Sequence, residues 1–338
     1  MFRSKPVLAT ITTVIVVGGE ALVDLVPGDF KGVWGLAPSR GVGAEPPQDT
    51  VDSGLRALVP RLGGGPYNVA LAAGRLGAPT AFLSRISGDR FGQALRERLA
   101  ASEVALSMIQ HGDEPTTLAV VALDDRGSAS YTFYTEGTAD RLFADPGPLP
   151  AEVSVLSLGT LGMVLEPGAT AYEAVLRRES ARGVLTALDP NVRADLIADP
   201  AAYRERFVSW LPDVRLLKLS DDDALWLAAG GELADAVKTW LDAGVDAVVL
   251  THGAGGITVH TGSAPVSVPS APARVIDTIG AGDTVQGALL AWLHTRNVRQ
   301  LTEISREEWR EALAFAAKAA SITVSRSGAE PPKAEEMM

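Results

Sequence analysis

Short apolar runs that stop abruptly at polar or glycine-rich residues recur along this 338-residue chain, and few folds accommodate them. Val14-Ile-Val-Val17 ends at Gly18-Gly19, with Glu20 and Asp24 behind it. Val184 to Leu188 ends at Asp189-Pro-Asn-Val-Arg193. A strand within Trp210 to Leu219 carries Lys218 and leads into Ser220-Asp-Asp-Asp223. Ala247 to Leu250 ends at Thr251-His-Gly-Ala-Gly-Gly256. Continuous runs of this kind suit strands buried on both faces, and helical patterns stand between them. The alternation predicts a single doubly wound α/β sheet. Such sheets gather ligands outside the carboxyl ends of their strands, so the polar ends near 20, 189, 218 and 251 predict one binding edge.

Charge and composition remove several function classes. The formal net charge is −11 and the isoelectric point about 4.9, which argues against nonspecific binding to nucleic acid or anionic membranes. A nucleotide held at a local site is still allowed. There is no cysteine, so disulfides, thiol catalysis and zinc–thiolate sites are excluded. The four histidines are scattered and lack HExxH spacing. The basic start Met1-Phe-Arg-Ser-Lys-Pro has a weak signal peptide as its alternative reading. Val14 to Gly19 reads better as a buried first strand, with no small-residue cleavage site after it. No apolar run is long enough to span a membrane. The expectation is a cytoplasmic protein.

The richest stretch is Val275-Ile-Asp-Thr-Ile-Gly-Ala-Gly-Asp-Thr-Val-Gln-Gly-Ala-Leu-Leu-Ala-Trp292. Ile279 to Gly282 suits a tight turn. From Asp283 the pattern is helical, with Val285, Leu289 and Trp292 on one buried face. A turn entering a helix presents free N–H groups, an anion site. An acid there is either an N-terminal cap or a base that takes a hydroxyl proton while the N–H groups hold a transferring phosphoryl group. No GK[ST] follows, so this is not a P-loop.

A second glycine turn, Gly63-Gly-Gly-Pro-Tyr-Asn-Val-Ala-Leu-Ala-Ala-Gly-Arg-Leu-Gly77, also enters a helix, with Pro66 near its start. Asn68 falls in the first turn and offers a donor and an acceptor to vicinal hydroxyls; the alternative is a local cap. Asp24 between Val23 and Leu25 is a candidate for a sugar hydroxyl, or a product of strand alternation, and Glu20 reads equally well as a surface loop acid. Asp189 and Asn191 suit phosphate contact or an Asx turn, and Arg193 an anion or a surface salt bridge. Lys218, late in an apolar strand, needs an acid or a phosphate. Asp223 suits a water-bridged cation or a helix cap. Asp89 reads as a cap. Leu118 to Leu123 and Ala129 to Tyr134, around Asp124-Asp-Arg-Gly127, predict a hairpin of an accessory sheet; Ile257 to His260 and Val266 to Pro269 predict another. Residues 28–60, with Trp34 isolated among Gly, Pro, Asp and Ser, form a long irregular segment. Glu308 to Val324 predicts a long helix. Residues 328–338 are expected to fray.

Taken together these motifs resemble the PfkB, or ribokinase-like, family of carbohydrate kinases. Asp277-Thr-Ile-Gly-Ala-Gly-Asp283 with Gly287 is similar to its C-terminal signature. Gly63-Gly-Gly-Pro-Tyr-Asn68-Val-Ala with Gly74 and Leu76-Gly77 is similar to its N-terminal one. Gly18 to Asp24, Asp189-Pro-Asn191, Lys218 and Thr251-x-Gly253 fall where that family has them. The resemblance implies a ribokinase-like three-layer α/β/α sandwich over 14–328, with a central mainly parallel sheet. It implies a small β lid drawn from parts of 20–62 and 115–138, and flexible termini at 1–13 and 329–338. It implies transfer of the ATP γ-phosphate to a sugar hydroxymethyl group, with Mg²⁺ and K⁺ as cofactors and a homodimer joined through the lid. Asp283 is then the base, and Gly280, Ala281 and Gly282 the anion hole. Asp24, Gly64, Gly65, Asn68 and Arg193 hold the sugar. Asn191, Lys218, Ser220, Asp223, Thr251, Gly253 and Gly256 serve the nucleotide, Asp223 reaches Mg²⁺ through water, and Asp277 offers its backbone to K⁺. The likeness is greatest to the fructokinase and 2-keto-3-deoxygluconate kinase branch, with fructose the first substrate. 2-Keto-3-deoxygluconate, ribose and nucleoside kinases, and a sugar-binding protein without turnover, are the alternatives. Ser220-x-x-Asp223 departs from the family's Asn-x-x-Glu, and Val285 from its usual phenylalanine.

Overall fold

The computed structural model describes residues 13–28, 57–123 and 129–338. Trp34 and most of the 28–60 segment lie outside them, as does the tip of the hairpin at 124–128. Strands β1 (Val14–Gly18), β4 (Thr80–Ser87), β9 (Val153–Gly159), β10 (Leu185–Asp189), β11 (Leu216–Ser220) and β12 (Ala247–Thr251) form the parallel centre of a ten-stranded sheet. The short strands β5 (Val104–Ala105) and β6 (Ile109–Gly112) extend it beside β4. The antiparallel pair β13 (Ile257–His260) and β14 (Val266–Val268) closes the other edge.

Successive side chains on a strand face opposite ways, and each face has its own apolar layer. Ile15, Val17, Val155, Leu216 and Val249 point to one, shared with helices α1 (Gly65–Arg75), α2 (Arg90–Ala101), α7 (Ala281–Thr295) and α8 (Arg306–Val324). Val16, Leu156, Leu217 and Val248 point to the other, covered by α3 (Gly168–Ala181), α4 (Pro200–Trp210), α5 (Asp221–Leu227) and α6 (Leu233–Asp242). This is the expected mainly parallel sheet between helices. The sequence reading did not separate α4 or α6; Trp210 closes α4 rather than opening a strand.

Helix α7 is deeply enclosed. Every residue from Asp283 to Leu293 is buried, with α1 on one side and α8 on the other. Its seam with α1 depends on a missing side chain: a Cβ on Gly287 would stand 2.6 Å from Ala72 Cβ and 2.7 Å from the Val69 carbonyl oxygen. Close-packed interiors give no room for such an addition.

A separate four-stranded sheet, in the order β3 (Leu58–Gly63), β2 (Leu22–Pro27), β7 (Thr117–Leu123) and β8 (Ala129–Tyr134), stands over the carboxyl edge. Strand β2 leaves the body directly after β1, and β3 runs back into α1. The segment 328–338, expected to fray, is docked instead. Gly328 N donates to Asp277 Oδ2 at 2.8 Å, and Glu330 bridges Arg75 and Arg98 at 2.7 Å each. Asp89 caps α2, accepting from Gly92 N at 2.8 Å.

Candidate active site

The polar ends of β1, β10, β11 and β12 lie side by side because those strands are parallel and β9 joins β1 to β10. Two glycine turns close the same edge. In the first, Gly64 caps α1 at φ 116°, and a Cβ there would lie 2.7 Å from the Glu20 carbonyl oxygen. The close approach sets the first turn of α1, where Asn68 N donates to Gly64 O at 2.9 Å. The Asn68 side chain is no local cap. Its Nδ2 donates to Asp283 Oδ2 at 2.9 Å across 215 positions of sequence, and its buried Oδ1 has no protein partner.

In the second turn Gly280 adopts the left-handed conformation, φ 75°, and caps α7. The helix therefore starts at Ala281, two residues before the acid. Thr284 N makes the first helical bond, to Gly280 O, and Ala281 N reaches Thr278 O. The N–H groups of Gly282 and Asp283 have no acceptor within the helix. Asp277 braces the turn from below, with Oδ1 accepting from Ile279 N at 3.0 Å. Lys218 lies alongside, its Nζ 2.9 Å from where a Cβ of Gly282 would stand.

Burial pushes the Asp283 carboxyl above the usual range, while Lys218, the Asn68 amide and Arg193 pull it back. Burial likewise raises Asp24, on β2, to about 6, opposed by Arg193 and reinforced by Asp283. Lys218 is buried in an ion pair with Asp189 at 2.7 Å. Burial disfavours its charge, but Asp189, then Asp283 and Asp223, hold it as ammonium. Asp189 Oδ1 is buried with no protein partner. The Arg193 guanidinium donates to the carbonyls of Asn191 and Val192 and to Asn191 Oδ1. The surface salt bridge allowed for it by sequence is not formed among the described residues.

Other candidates turn out to shape the site. Asp223 and Ser220 form a capping box on α5. Asp223 also accepts from Val192 N at 2.8 Å, which pins the loop carrying Asn191. Asn191, at φ 40°, donates to Thr160 Oγ1 at 3.2 Å. Thr251 Oγ1 donates to Leu219 O at 3.3 Å. Gly253 and Gly256 turn the chain between β12 and β13 at positive φ. His252, not singled out from sequence, holds that turn: Nδ1 bonds Asp221 at 2.8 Å and Nε2 bonds Thr258 at 3.0 Å. Glu20, for which a surface loop acid was an equal reading, is 2% exposed. Its flanking glycines were the available sign that a backbone packs against it.

This geometry has known relatives. The family model for pfkB family carbohydrate kinases matches residues 47–336. A fructokinase of Rhizobium leguminosarum bv. trifolii is 35% identical over 297 residues, covering 86% of this chain and 84% of that protein. The crystal structure of a fructokinase with bound ATP from Xylella fastidiosa superposes with a TM-score of 0.82 at 25% identity, over 96% of this chain and 97% of the other. A fructokinase from Vibrio cholerae O395, in a form bound to fructose, ADP and calcium ion, shares the fold with a TM-score of 0.76 at 23% identity, over 94% and 95%.

Proposed function

The chain belongs to the pfkB family of carbohydrate kinases, phosphotransferases that act on a sugar hydroxyl, and on that premise we propose that it is a fructokinase using ATP. The observation that carries the reading is the Asn68–Asp283 hydrogen bond. It ties the glycine turn facing the lid to the acid at the mouth of α7, so the two turns form one site. The similarity to fructokinases over most of the chain supports fructose.

In this reading Asp24, Gly64, Gly65 and Asn68 hold the sugar under the lid, with the free Oδ1 of Asn68 accepting a hydroxyl. Asp283 takes the proton of the attacking hydroxyl, and its raised affinity for protons suits a base. The N–H groups of Gly280 and Gly282 and the Lys218 ammonium meet the charge of the transferring phosphoryl group, while the Ala281 N–H, expected in the same role, donates to the Thr278 carbonyl. Asn191, Ser220, Asp223, Thr251, Gly253 and Gly256 shape the nucleotide side. Among the described residues no three His, Asp or Glu side chains cluster as a metal cage. That fits Mg²⁺, which keeps waters and takes one or two carboxylates with substrate phosphates. The unpartnered Asp189 Oδ1 is available to it, and Asp223, whose oxygens serve protein donors, through water. When bound, the ion neutralises phosphate charge. K⁺ would sit against the backbone at Asp277. A homodimer through the lid accords with exposed Tyr131 and Tyr134 on β8, and a cytoplasmic location completes the proposal.

One observation favours 2-keto-3-deoxygluconate as a second substrate. Arg193 lies close enough to influence Asp24 and Asp283 and makes no carboxylate pair among the described residues, so its charge suits an acidic sugar. The test is coupled ADP production with MgATP and a panel of fructose, 2-keto-3-deoxygluconate, ribose and adenosine. Turnover is expected with fructose, and silence with the first two refutes the reading. Asp283→Asn should lower kcat by about 10²–10⁴ while leaving ATP binding and thermal stability intact. A loss of less than about tenfold would remove Asp283 from the role of base.

A further inference from the structure

Glu20 is a buried carboxylate that the mechanism above does not use. It follows β1, and Asp24 lies four residues further on, in the lid strand. Among the described residues it meets no cation. Its Oε1 accepts from Gly65 N at 2.9 Å and its Oε2 from Gly162 N at 3.2 Å. Its own carbonyl sits against Gly64. One residue thus clasps the glycine turn of α1 from two sides and ties it to the short helical turn that follows β9. An unpaired buried carboxylate is costly. Burial pushes this one up to about 8, with Asp140 adding to the rise and the amide donors opposing it.

We propose that Glu20 is the positioning residue of the sugar site, fixing the amide of Gly65 and the backbone of Gly64 and hence the first helical turn that presents Asn68 to Asp283. This rests on reading that turn as the sugar-binding wall. The Gly65 amide is one of the donors that α1 cannot satisfy itself. A carboxylate answers it and Gly162 together, because each of its two oxygens accepts. An amide in the same place offers one acceptor and turns an NH₂ toward the second N–H. Both amides are therefore answered in full by the ionised form, which prevails above about pH 8.

Glu20→Gln separates the two roles. At pH 9, its KM for sugar should rise roughly tenfold over wild type, the size of losing one hydrogen bond to a charged group, with the KM for ATP changed less than about twofold. At pH 9, where the wild-type carboxylate is ionised, the variant should unfold at the same temperature as wild type or higher. A merely structural role predicts the opposite pattern: a lower unfolding temperature and an unchanged KM for sugar. That result, or equal rises in both KM values, overturns the proposal. Hydrogen exchange without substrates gives a reading that does not depend on which sugar is used. The amides of Gly65, Tyr67 and Asn68 should exchange about tenfold faster in Glu20→Gln, and unchanged exchange there overturns the clasp. If the wild type phosphorylates no sugar while this exchange effect is present, the functional assignment fails and the clasp stands.

Discussion

Replacing Lys218 with methionine tests the electrostatic core of the site. The ammonium is 4% exposed and 2.7 Å from Asp189 Oδ2. At an effective dielectric constant of about 20, two unit charges at that distance attract by about 6 kcal/mol, and desolvation of both groups offsets much of it. Lys218→Met removes the attraction and leaves the desolvation of the acids. Asp189 already has one buried oxygen without a partner; it would then have two. Breaking a buried pair on one side costs about 3–5 kcal/mol, and urea denaturation at pH 8 should show that loss. At pH 5 the loss should shrink. Burial already raises the Asp189 carboxyl to about 6 with the lysine in place, and without it a proton is taken up more readily and cancels the stranded charge. Lys218→Met combined with Asp189→Leu should recover stability to within about 1 kcal/mol, since an apolar pair of similar volume replaces a buried ion pair at little cost. Turnover should not recover, because no cation then faces the phosphoryl group. A single substitution that costs under about 1 kcal/mol at both pH values, or a double variant that regains activity, would refute the reasoning.

Asp24 should impose a pH limit on sugar use. Its carboxyl is raised to about 6, so kcat/KM for sugar should fall as pH drops through that value, and Asp24→Asn should flatten the limb. The fold tightens its hold on this proton relative to the unfolded chain, so acidification through the same range favours the folded state at this group. A thermal midpoint that holds between pH 6 and 5 while kcat/KM falls separates the two effects; no limb near 6 removes Asp24 from the pocket. Gly280→Ala should raise the KM for ATP about tenfold with little effect on sugar, because a left-handed alanine costs about 1–2 kcal/mol and its Cβ would lie 2.5 Å from Ala329 Cβ. An unchanged KM for ATP would show that the turn does not hold phosphate.

What the sequence made legible was local. The β-branched runs and the polar ends near Glu20, Asp189, Lys218 and Thr251 were enough to place four strands in parallel and predict a common edge. Gly280 and Gly64 announced their turns because only glycine takes those angles cheaply. What stayed hidden was long-range. Nothing near Asn68 says that its amide meets Asp283, 215 positions away. Nothing near Glu330 says that it joins two helices, so a charged segment read as a frayed end. Glu20 stayed ambiguous for the same reason: its buried partners, Gly65 and Gly162, lie on other elements. Asp223 was ambiguous because a cap and a ligand draw on the same residue type at the same place.

The α1–α7 seam at Gly287 shows where the accuracy of this enzyme is stored. The acid is the third residue of a helix clamped along its length, so its aim is inherited from interior fit rather than from the pocket wall. A single methyl inserted at Gly287, one turn deeper, would wedge two helices apart and swing the acid off target without touching a ligand. Variants that bind both substrates yet turn over slowly should therefore be sought in this dry joint as well as among the residues that line the cavity.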